Sequence, residues 1–493
     1  MGKEQSQPPR VGLVVLGCDK NSVDNEYLAA ALARRGALVT GDPIGDGPVD
    51  AVVVATCGFT DEARAQSLAT ILKWAELKRR APHPMGLYVW SCMGQRWAGE
   101  LLEGIPELDG VAGVGHFEQL AQAILTGTRH RRHSVFPEAQ SSQFNIQHSK
   151  LKIKHSPCVT VPPRLGRLRL DSRPYAFLKI ADGCNHRCTF CAIPSMKGPL
   201  RSVPRGTVLE EARALLASGA RELNLIAQDV SAYGQDLYSH YRLADLLEGL
   251  LALDGDFWVR LLYVYPGGLN QRLIELLAQH PKLCPYLDLP LQHLDVGVLR
   301  RMKRPQPALN IERLVAHLRE RIPDLALRTT MMVGFPGEDG AAFERLLAGV
   351  ERIRFDRLGA FVFSPEEGAP ATAMSNIPPR RTALRRLDRL MRLQAEISAK
   401  LLEEWVDRTG QTSRTSQTGQ TGRTVRVLVE SRDEATGQYL GRTIRDAPEV
   451  DGVVKLHSAG PLNVGTVVDV TITAAETYDL IGEATGKKGK SKK

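Results

Sequence analysis

Apolar and polar positions follow two different periods along this chain, and the changes of period divide it. RVGLVVLG (10–17) is an unbroken apolar run, as carried by a strand buried on both faces. NEYLAAALARRG (25–36) repeats its apolar positions at helical spacing and ends in Gly36, which predicts a helix with a glycine stop. VDAVVVATCG (49–58) and MGLYVWSCMG (85–94) predict two more buried strands, so residues 11–130 read as an α/β domain. Residues 131–171, rich in His, Ser, Gln, Pro and Arg, show no period and read as a linker.

From 172 to 405 strands and helices alternate again. PYAFLKIA, ELNLIAQD, WVRLLYVYP, YLDLPLQ, ALRTTMMVGFP and RLGAFVFS predict strands. GTVLEEARALLASGA and LNIERLVAHLRERI predict helices between them, hence repeated βα units forming a parallel sheet or partial (β/α) barrel. Residues 406–424 hold TGQTSRTSQTGQTG, a low-complexity flexible linker. Residues 425–484 switch to short β runs (VRVLVES, QYLGRTI, GVVKLHS, TVVDVTITAAE), which predict a small all-β barrel, and 485–493 form a basic tail. The fold class is α/β, with a separate all-β module at the end.

Composition adds limits. A length of 493 residues fits about three domains. No apolar run reaches the roughly 18 residues a membrane span needs, and MGKEQSQPPR has no apolar stretch behind its basic residues. These features predict a cytoplasmic protein with no membrane association. The net charge of +9 favours nucleic acid or ribonucleoprotein partners, although part of the excess lies in the tail GKKGKSKK. Eight cysteines in such a chain are too sparse for a disulfide framework and suit metal or catalytic roles, with Cys158, in the linker, as a bystander.

Three cysteines, Cys18, Cys57 and Cys92, each follow a predicted strand. Ligands of parallel α/β sheets bind beyond the carboxyl ends of strands, so these three can converge in space. Cys184, Cys188 and Cys191 form C-x3-C-x2-C in GCNHRCTFCAIP, after the first strand of the central domain. Thiolates there suit zinc, with His186 or Cys284 as fourth ligand, or a [4Fe–4S] cluster with one open iron.

C-x3-C-x2-C with Phe190 before its last cysteine, on a loop after a strand of a βα-repeat domain, resembles the radical S-adenosylmethionine signature. LGCDKNSVDNE, ATCGFTDEARAQS and WSCMGQRWAGEL resemble the N-terminal domain of the methylthiotransferases, and the all-β segment resembles the TRAM domain that closes that family. The chain is identified as a member of the methylthiotransferase family of radical S-adenosylmethionine enzymes, over residues 11–130 and 172–484. The resemblance implies two [4Fe–4S] clusters: an auxiliary one on Cys18, Cys57 and Cys92, and one on Cys184, Cys188 and Cys191 that binds S-adenosylmethionine. It also implies cofactor contacts from Phe190 (adenine), Gln228 and Asp229 (amino group), Arg260 (carboxylate, or else a buried ion-pair partner) and Gly334 (adenosine, or else only a turn). Gln292 and His293 are expected to line the site.

Within the family, LGCDKN, TCGF, AQDVSAYG, GRTIRDAPEVDG and TYDLIGE resemble the branch that modifies an aspartate of ribosomal protein twelve of the small subunit. The alternatives are the branch acting on isopentenyladenosine in tRNA, and a non-catalytic RNA- or ribosome-binding protein, against which six intact motif cysteines argue. VYPGG and RSVPRG depart from the family pattern around Pro266 and Val203. The β-carbon hydrogens of an aspartate are too weakly acidic for a side-chain base, so radical chemistry carried by cofactors suits that target. The implied partners are the ribosomal protein or the ribosome, an electron donor such as flavodoxin or ferredoxin, and a sulfur donor. Asp446, Glu449 and Asp451 form an acidic stretch that would attract a basic ribosomal protein, or else a solvated loop.

Overall fold

The structure, a computed structural model, describes residues 7–126, 133–135, 166–238, 242–304, 310–407 and 423–485. Cys158, most of the 131–171 linker, the low-complexity linker from 408 to 422 and the basic tail from 486 lie outside them.

The N-terminal apolar runs form β1 (Arg10–Val15), β3 (Ala51–Thr56) and β4 (Gly86–Ser91). With β2 (Leu38–Thr40), β5 (Gly110–Ala112) and β6 (His133–Val135) they make a parallel sheet in the order β2-β1-β3-β4-β5-β6. Helix Asp19–Arg34 covers one face, against Val11, Leu13, Val53 and Ala55. Helices Asp61–Arg80 and Cys92–Gly104 cover the other, around Val52, Val54, Leu87 and Val89. Apolar side chains on both faces explain why these strands show no alternation.

In the central unit, β7 (Tyr175–Lys179) is followed by a short antiparallel pair, β8 (Ala181–Asp182) and β9 (Arg201–Ser202). Next come β10 (Glu222–Ile226), β11 (Trp258–Leu261), β12 (Leu283–Gln292), β13 (Ala326–Val333) and β14 (Arg357–Val362). The six long strands run parallel in the order β14-β13-β12-β11-β10-β7, an open barrel whose outer face is buried under helices. The β7 edge is covered by helix Asp19–Arg34, whose Val23 and Tyr27 pack with Tyr175 and Phe177. Arg167, at the end of the expected linker, is buried there and pairs with Glu26 and, at 2.9 Å, with Glu211.

The last unit is a closed barrel of β15 (Thr424–Arg432), β16 (Tyr439–Arg442), β17 (Val454–His457), β18 (Val467–Ala475) and β19 (Leu480–Ala484). It plugs the end of the open barrel where the strands begin, with Leu428 and Ala447 among Tyr175, Trp258, Tyr286 and Ala326. The expected role of the acidic stretch is corrected here. Asp446 and the side chain of Asp451 are buried: Asp446 accepts from Arg357 at 2.7 Å, and Asp451 accepts from the Tyr286 hydroxyl at 2.6 Å and pairs with Arg328 at 3.4 Å. Glu449 is engaged by Arg173 and by the Tyr175 hydroxyl at 2.9 Å. Two of its three carboxylates are thus turned into the protein and the third, on the exposed Glu449, is paired, so the stretch does not present a free acidic patch. Its charges are spent on the arginines of the barrel floor.

Arg260 belongs to the same layer. It is fully buried, donates to Glu222 at 2.7 Å and to the Ile444 carbonyl at 2.8 Å, and Arg442 reaches the other oxygen of Glu222 at 2.7 Å. It is the ion-pair partner of the two roles expected for it, held at the floor of the barrel rather than at its mouth. Among the described residues, no helix is long and apolar enough to cross a membrane.

Candidate active site

Cys18, Cys57 and Cys92 arrive at one end of the N-terminal sheet. Cys18 precedes helix Asp19–Arg34, Cys57 directly follows β3, and Cys92 opens helix Cys92–Gly104. Asn21 ties the three strand ends together. Its amide donates to the carbonyls of Leu16 at 3.1 Å and Thr56 at 3.0 Å, while its side-chain oxygen accepts from Ser91 Oγ at 2.8 Å. Gly17 has φ +98°, and a Cβ there would press on Cys57 and on Asn21. A Cβ on Gly58 would press on the Cys92 backbone at 3.1 Å. Ser91, before Cys92, adopts φ 78°, a left-handed conformation rare for a residue with a side chain.

Cys18 is exposed, Cys57 half-buried and Cys92 buried. Burial pushes the Cys92 thiol up to about 11 and also raises that of Cys57. Such thiols stay protonated unless a metal displaces the proton.

The second triplet lies on the loop after β8. A Cβ on Gly183, at φ 73°, would collide with the Pro199 carbonyl oxygen, so only glycine fits there. The Cys184 N–H donates to the Gly198 carbonyl at 3.1 Å, and the Thr189 N–H to that of Met302 at 3.1 Å. Cys184 Sγ accepts the His186 N–H at 3.4 Å, Cys191 Sγ the Ile193 N–H at 3.5 Å, and Cys188 Sγ an Arg304 N–H at 3.7 Å. Burial pushes Cys184 up to about 11 and Cys191 up to about 12. Phe190 is 9% exposed, wedged among Val298, Leu299, Met332 and Phe335, where it anchors the loop from below.

The two triplets sit on segments that pack together. Helix Ile193–Lys197 starts two residues after Cys191, and Ala192, Ile193 and Met196 pack on Cys92 and Phe59. At its far end Lys197 is 4% exposed, beside Asp182 at 3.3 Å and Asp24 at 3.6 Å, and close enough to Cys92 and Cys18 to act on both. Burial alone would lower its pKa, but the two carboxylates outweigh burial and hold it above the ordinary lysine range. Lys20 is buried too, 3.1 Å over the Tyr263 ring and paired with Asp19 at 3.1 Å.

A cleft beside Cys184 is lined by His186, Asp229, Ser231, Tyr265 and Gly268. His186 Nε2 meets Asp229 at 2.7 Å and its ring stacks on Tyr265 at 4.0 Å; the other oxygen of Asp229 accepts from the Ser231 hydroxyl at 2.5 Å. The second glycine of VYPGG has a local reason, since a Cβ on Gly268 would collide with Ser231.

Gln228 follows β10, Gln292 ends β12 with φ 73°, and His293 follows it. The buried atoms Gln228 Oε1, Gln292 Oε1 and His293 Nε2 have no hydrogen-bond partner among the described residues. His293 Nδ1 accepts the Asp295 N–H at 2.9 Å, which leaves Nε2 to carry the proton. Burial lowers the His293 pKa to about 4, so the ring is neutral near pH 7. Gly334 has φ 77°, its N–H donates to Glu338 at 2.6 Å, and a Cβ there would press on Ala383 at 2.6 Å. Helix packing alone therefore requires that glycine.

The donor set fits iron–sulfur groups better than a single ion. Each triplet offers three free thiols, and among the described residues no three His, Cys, Asp or Glu side chains are placed to hold one metal ion. Cys284 lies inside the barrel floor beside Arg260, away from the triplet, so it offers no fourth zinc ligand. Gln228 Oε1 and Gln292 Oε1 are left without a partner among the described residues, and His293 Nε2 faces Glu338 at 3.9 Å. The motif cysteines were legible as strand-end residues. Asn21, Lys197, Arg304 and Tyr265 were not singled out, although Asn21 lies within LGCDKNSVDNE and Tyr265 within VYPGG.

Comparison with known proteins agrees with this arrangement. Residues 10–113 match the model described as uncharacterized protein family UPF0004, residues 178–348 the radical SAM superfamily and residues 421–485 the TRAM domain. The ribosomal protein uS12 methylthiotransferase RimO of Geobacter sulfurreducens is 40% identical over 96% of this chain and 98% of its own. That of Desulforamulus reducens is 39% identical over 96% of this chain and 99% of its own. Among solved structures, the radical S-adenosylmethionine methyltransferase TsrM of Kitasatospora setae superposes with a TM-score of 0.52 at 16% identity, over 74% of this chain and 75% of that one, a likeness of fold. The similarity to the RimO proteins runs through all three units from end to end, and the chain belongs to the ribosomal protein uS12 methylthiotransferase RimO family.

Proposed function

We propose that this protein adds a methylthio group to the β-carbon of an aspartate in small-subunit ribosomal protein uS12. The observation that carries the reading is the packing of Ala192, Ile193 and Met196, which follow the second thiol triplet, directly on Cys92 of the first. Two three-thiol sites on segments packed together suit a reaction in which sulfur is supplied at one and a radical is generated at the other.

Cys18, Cys57 and Cys92 would hold an auxiliary [4Fe–4S] cluster, and Cys184, Cys188 and Cys191 a second that binds S-adenosylmethionine. Bound there, these groups would supply one-electron cleavage of the sulfonium, hydrogen abstraction, and the sulfur and methyl of the product. Asp229 fixes His186 beside Cys184 and fills its other oxygen with Ser231, so the dyad keeps one orientation at the cleft wall. Gln228 and Gln292, whose side-chain oxygens are unpartnered, and neutral His293 would line the site for cofactor or substrate. Phe190 and Gly334 shape the site through packing. Lys20 and Lys197 place buried ammonium groups beside the auxiliary thiols, where they would favour an anionic sulfur ligand. Turnover would also require a low-potential one-electron donor, such as flavodoxin or ferredoxin, and a sulfur donor.

The test is a side-by-side assay of anaerobically reconstituted protein with purified uS12 and with isopentenylated tRNA. The uS12 aspartate should gain one methylthio group in place of hydrogen, with the tRNA unchanged. Modified adenosine with unmodified uS12 would overturn the substrate and leave the fold intact.

A further inference from the structure

The three thiols of the second triplet receive their hydrogen bonds from different sources. Cys184 and Cys191 are served by backbone N–H groups of their own loop, which no substitution removes cleanly. Cys188 is served by a side chain 116 positions away: Arg304 Nη1 donates to its Sγ at 3.7 Å. Arg304 is 8% exposed and well tethered. Its other terminal nitrogen donates to the Pro290 carbonyl, and its guanidinium lies 4.7 Å from the centre of the Tyr265 ring. The same ring stacks on His186, which Asp229 holds in turn. Arg304, Tyr265 and His186 thus form a stacked brace around the Cys184–Cys188 loop. The buried Nε of Arg304 has no partner among the described residues, so this cation is not neutralised by a carboxylate in the contacts it makes.

We propose that Arg304 is a positioning residue that sets the reduction potential of the iron–sulfur group held by Cys184, Cys188 and Cys191. This rests on reading that triplet as a cluster site. One electron from an external low-potential donor makes the loop and its group one unit more negative, with no bond formed or broken. A cation fixed against one thiolate, where water screens it little, favours the added electron. Hydrogen bonds to cluster sulfurs are among the recognised determinants of such potentials. The fork of Arg304 spans Cys188 and Pro290 at once; lysine at this position would lose the fork but keep the cation, which is the property argued to set the potential.

The experiment uses the full-length chain carrying Cys18→Ala, Cys57→Ala and Cys92→Ala, so that one cluster remains, as the parent for Arg304→Met, Arg304→Gln and Arg304→Lys. Each protein is reconstituted, its iron measured, and its reduction by dithionite followed by EPR in a mediated titration. At the potential where half of the parent is reduced, the reduced-to-oxidised ratio of Arg304→Met should fall about tenfold, ~59 mV for one electron. Arg304→Gln should fall between, and Arg304→Lys should stay within about threefold of the parent. Arg304→Met or Arg304→Gln with full iron and the parent's potential would overturn the proposal. So would loss of iron in all three variants, which would make the role purely structural. A parent that takes up no iron overturns the cluster reading and this proposal with it, and the iron analysis tells that outcome from the others.

Discussion

The side-chain amide of Asn21 donates to the backbone carbonyl of Thr56 at 3.0 Å, joining the loop of Cys18 to the residue before Cys57. Through Ser91 the same side chain reaches the residue before Cys92. One buried asparagine thus sets the spacing of three cysteines brought together from 75 residues of chain.

Asn21→Ala should therefore act on the auxiliary site first. It leaves the Thr56 and Leu16 carbonyls and the Ser91 hydroxyl without their partner, at a cost of about 1–3 kcal/mol. Wild-type protein should hold about eight irons per chain and the variant about four. Formation of 5′-deoxyadenosine should persist. Iron content equal to wild type would show that the three strand ends hold their spacing without Asn21.

The floor of the open barrel yields a second expectation. Asp446 and Arg357 are both buried and pair at 2.7 Å. Asp446→Ala strands a buried guanidinium, which costs about 3–5 kcal/mol, and should lower Tm clearly. Arg357→Ala strands the carboxylate with a similar effect, and the double variant should cost less than the sum. The KM for uS12 should not follow these changes. A large rise in KM with unchanged Tm would restore the acidic stretch as a docking surface.

Acid stability should report on Glu222. Burial alone would raise its carboxyl, but Arg442 and Arg260 outweigh burial and hold it below its ordinary value of 4.5. The unfolded chain then binds the proton more readily, so the contribution is present above about pH 4.5 and fades as pH falls toward the folded value. Glu222→Gln removes this titration. Denaturation between about pH 5 and pH 3 should show a shallower loss of stability than in wild type, from a lower starting point at pH 7. Equal slopes would show that Glu222 does not govern the acid limb.

Much of this was legible before any coordinates. Strands buried on both faces carry unbroken apolar runs, so β1, β3, β4 and the six parallel strands of the open barrel stood out. Cysteines placed just past strand ends pointed to the site, because a parallel sheet gathers its strand ends on one edge. Charge was harder to read. RDAPEVDG looks like an exposed acidic loop, since nothing local reveals that Arg357, Arg328 and Arg173, from distant segments, meet it. Arg260 lies inside β11, and whether an inward-facing arginine meets a cofactor or Glu222 depends on a neighbouring strand and a different barrel. Lys197 and Arg304 gave no periodic signal, because each matters through contacts with residues distant in the chain.

The most direct measurement counts both products from one sample of the Cys18→Ala, Cys57→Ala, Cys92→Ala chain, reconstituted and supplied with reductant, S-adenosylmethionine and uS12. The account predicts that 5′-deoxyadenosine still forms while methylthiolated uS12 is absent, and that Cys188→Ala in the otherwise intact chain abolishes both. Methylthiolated uS12 from the triple variant would contradict the role given to Cys18, Cys57 and Cys92.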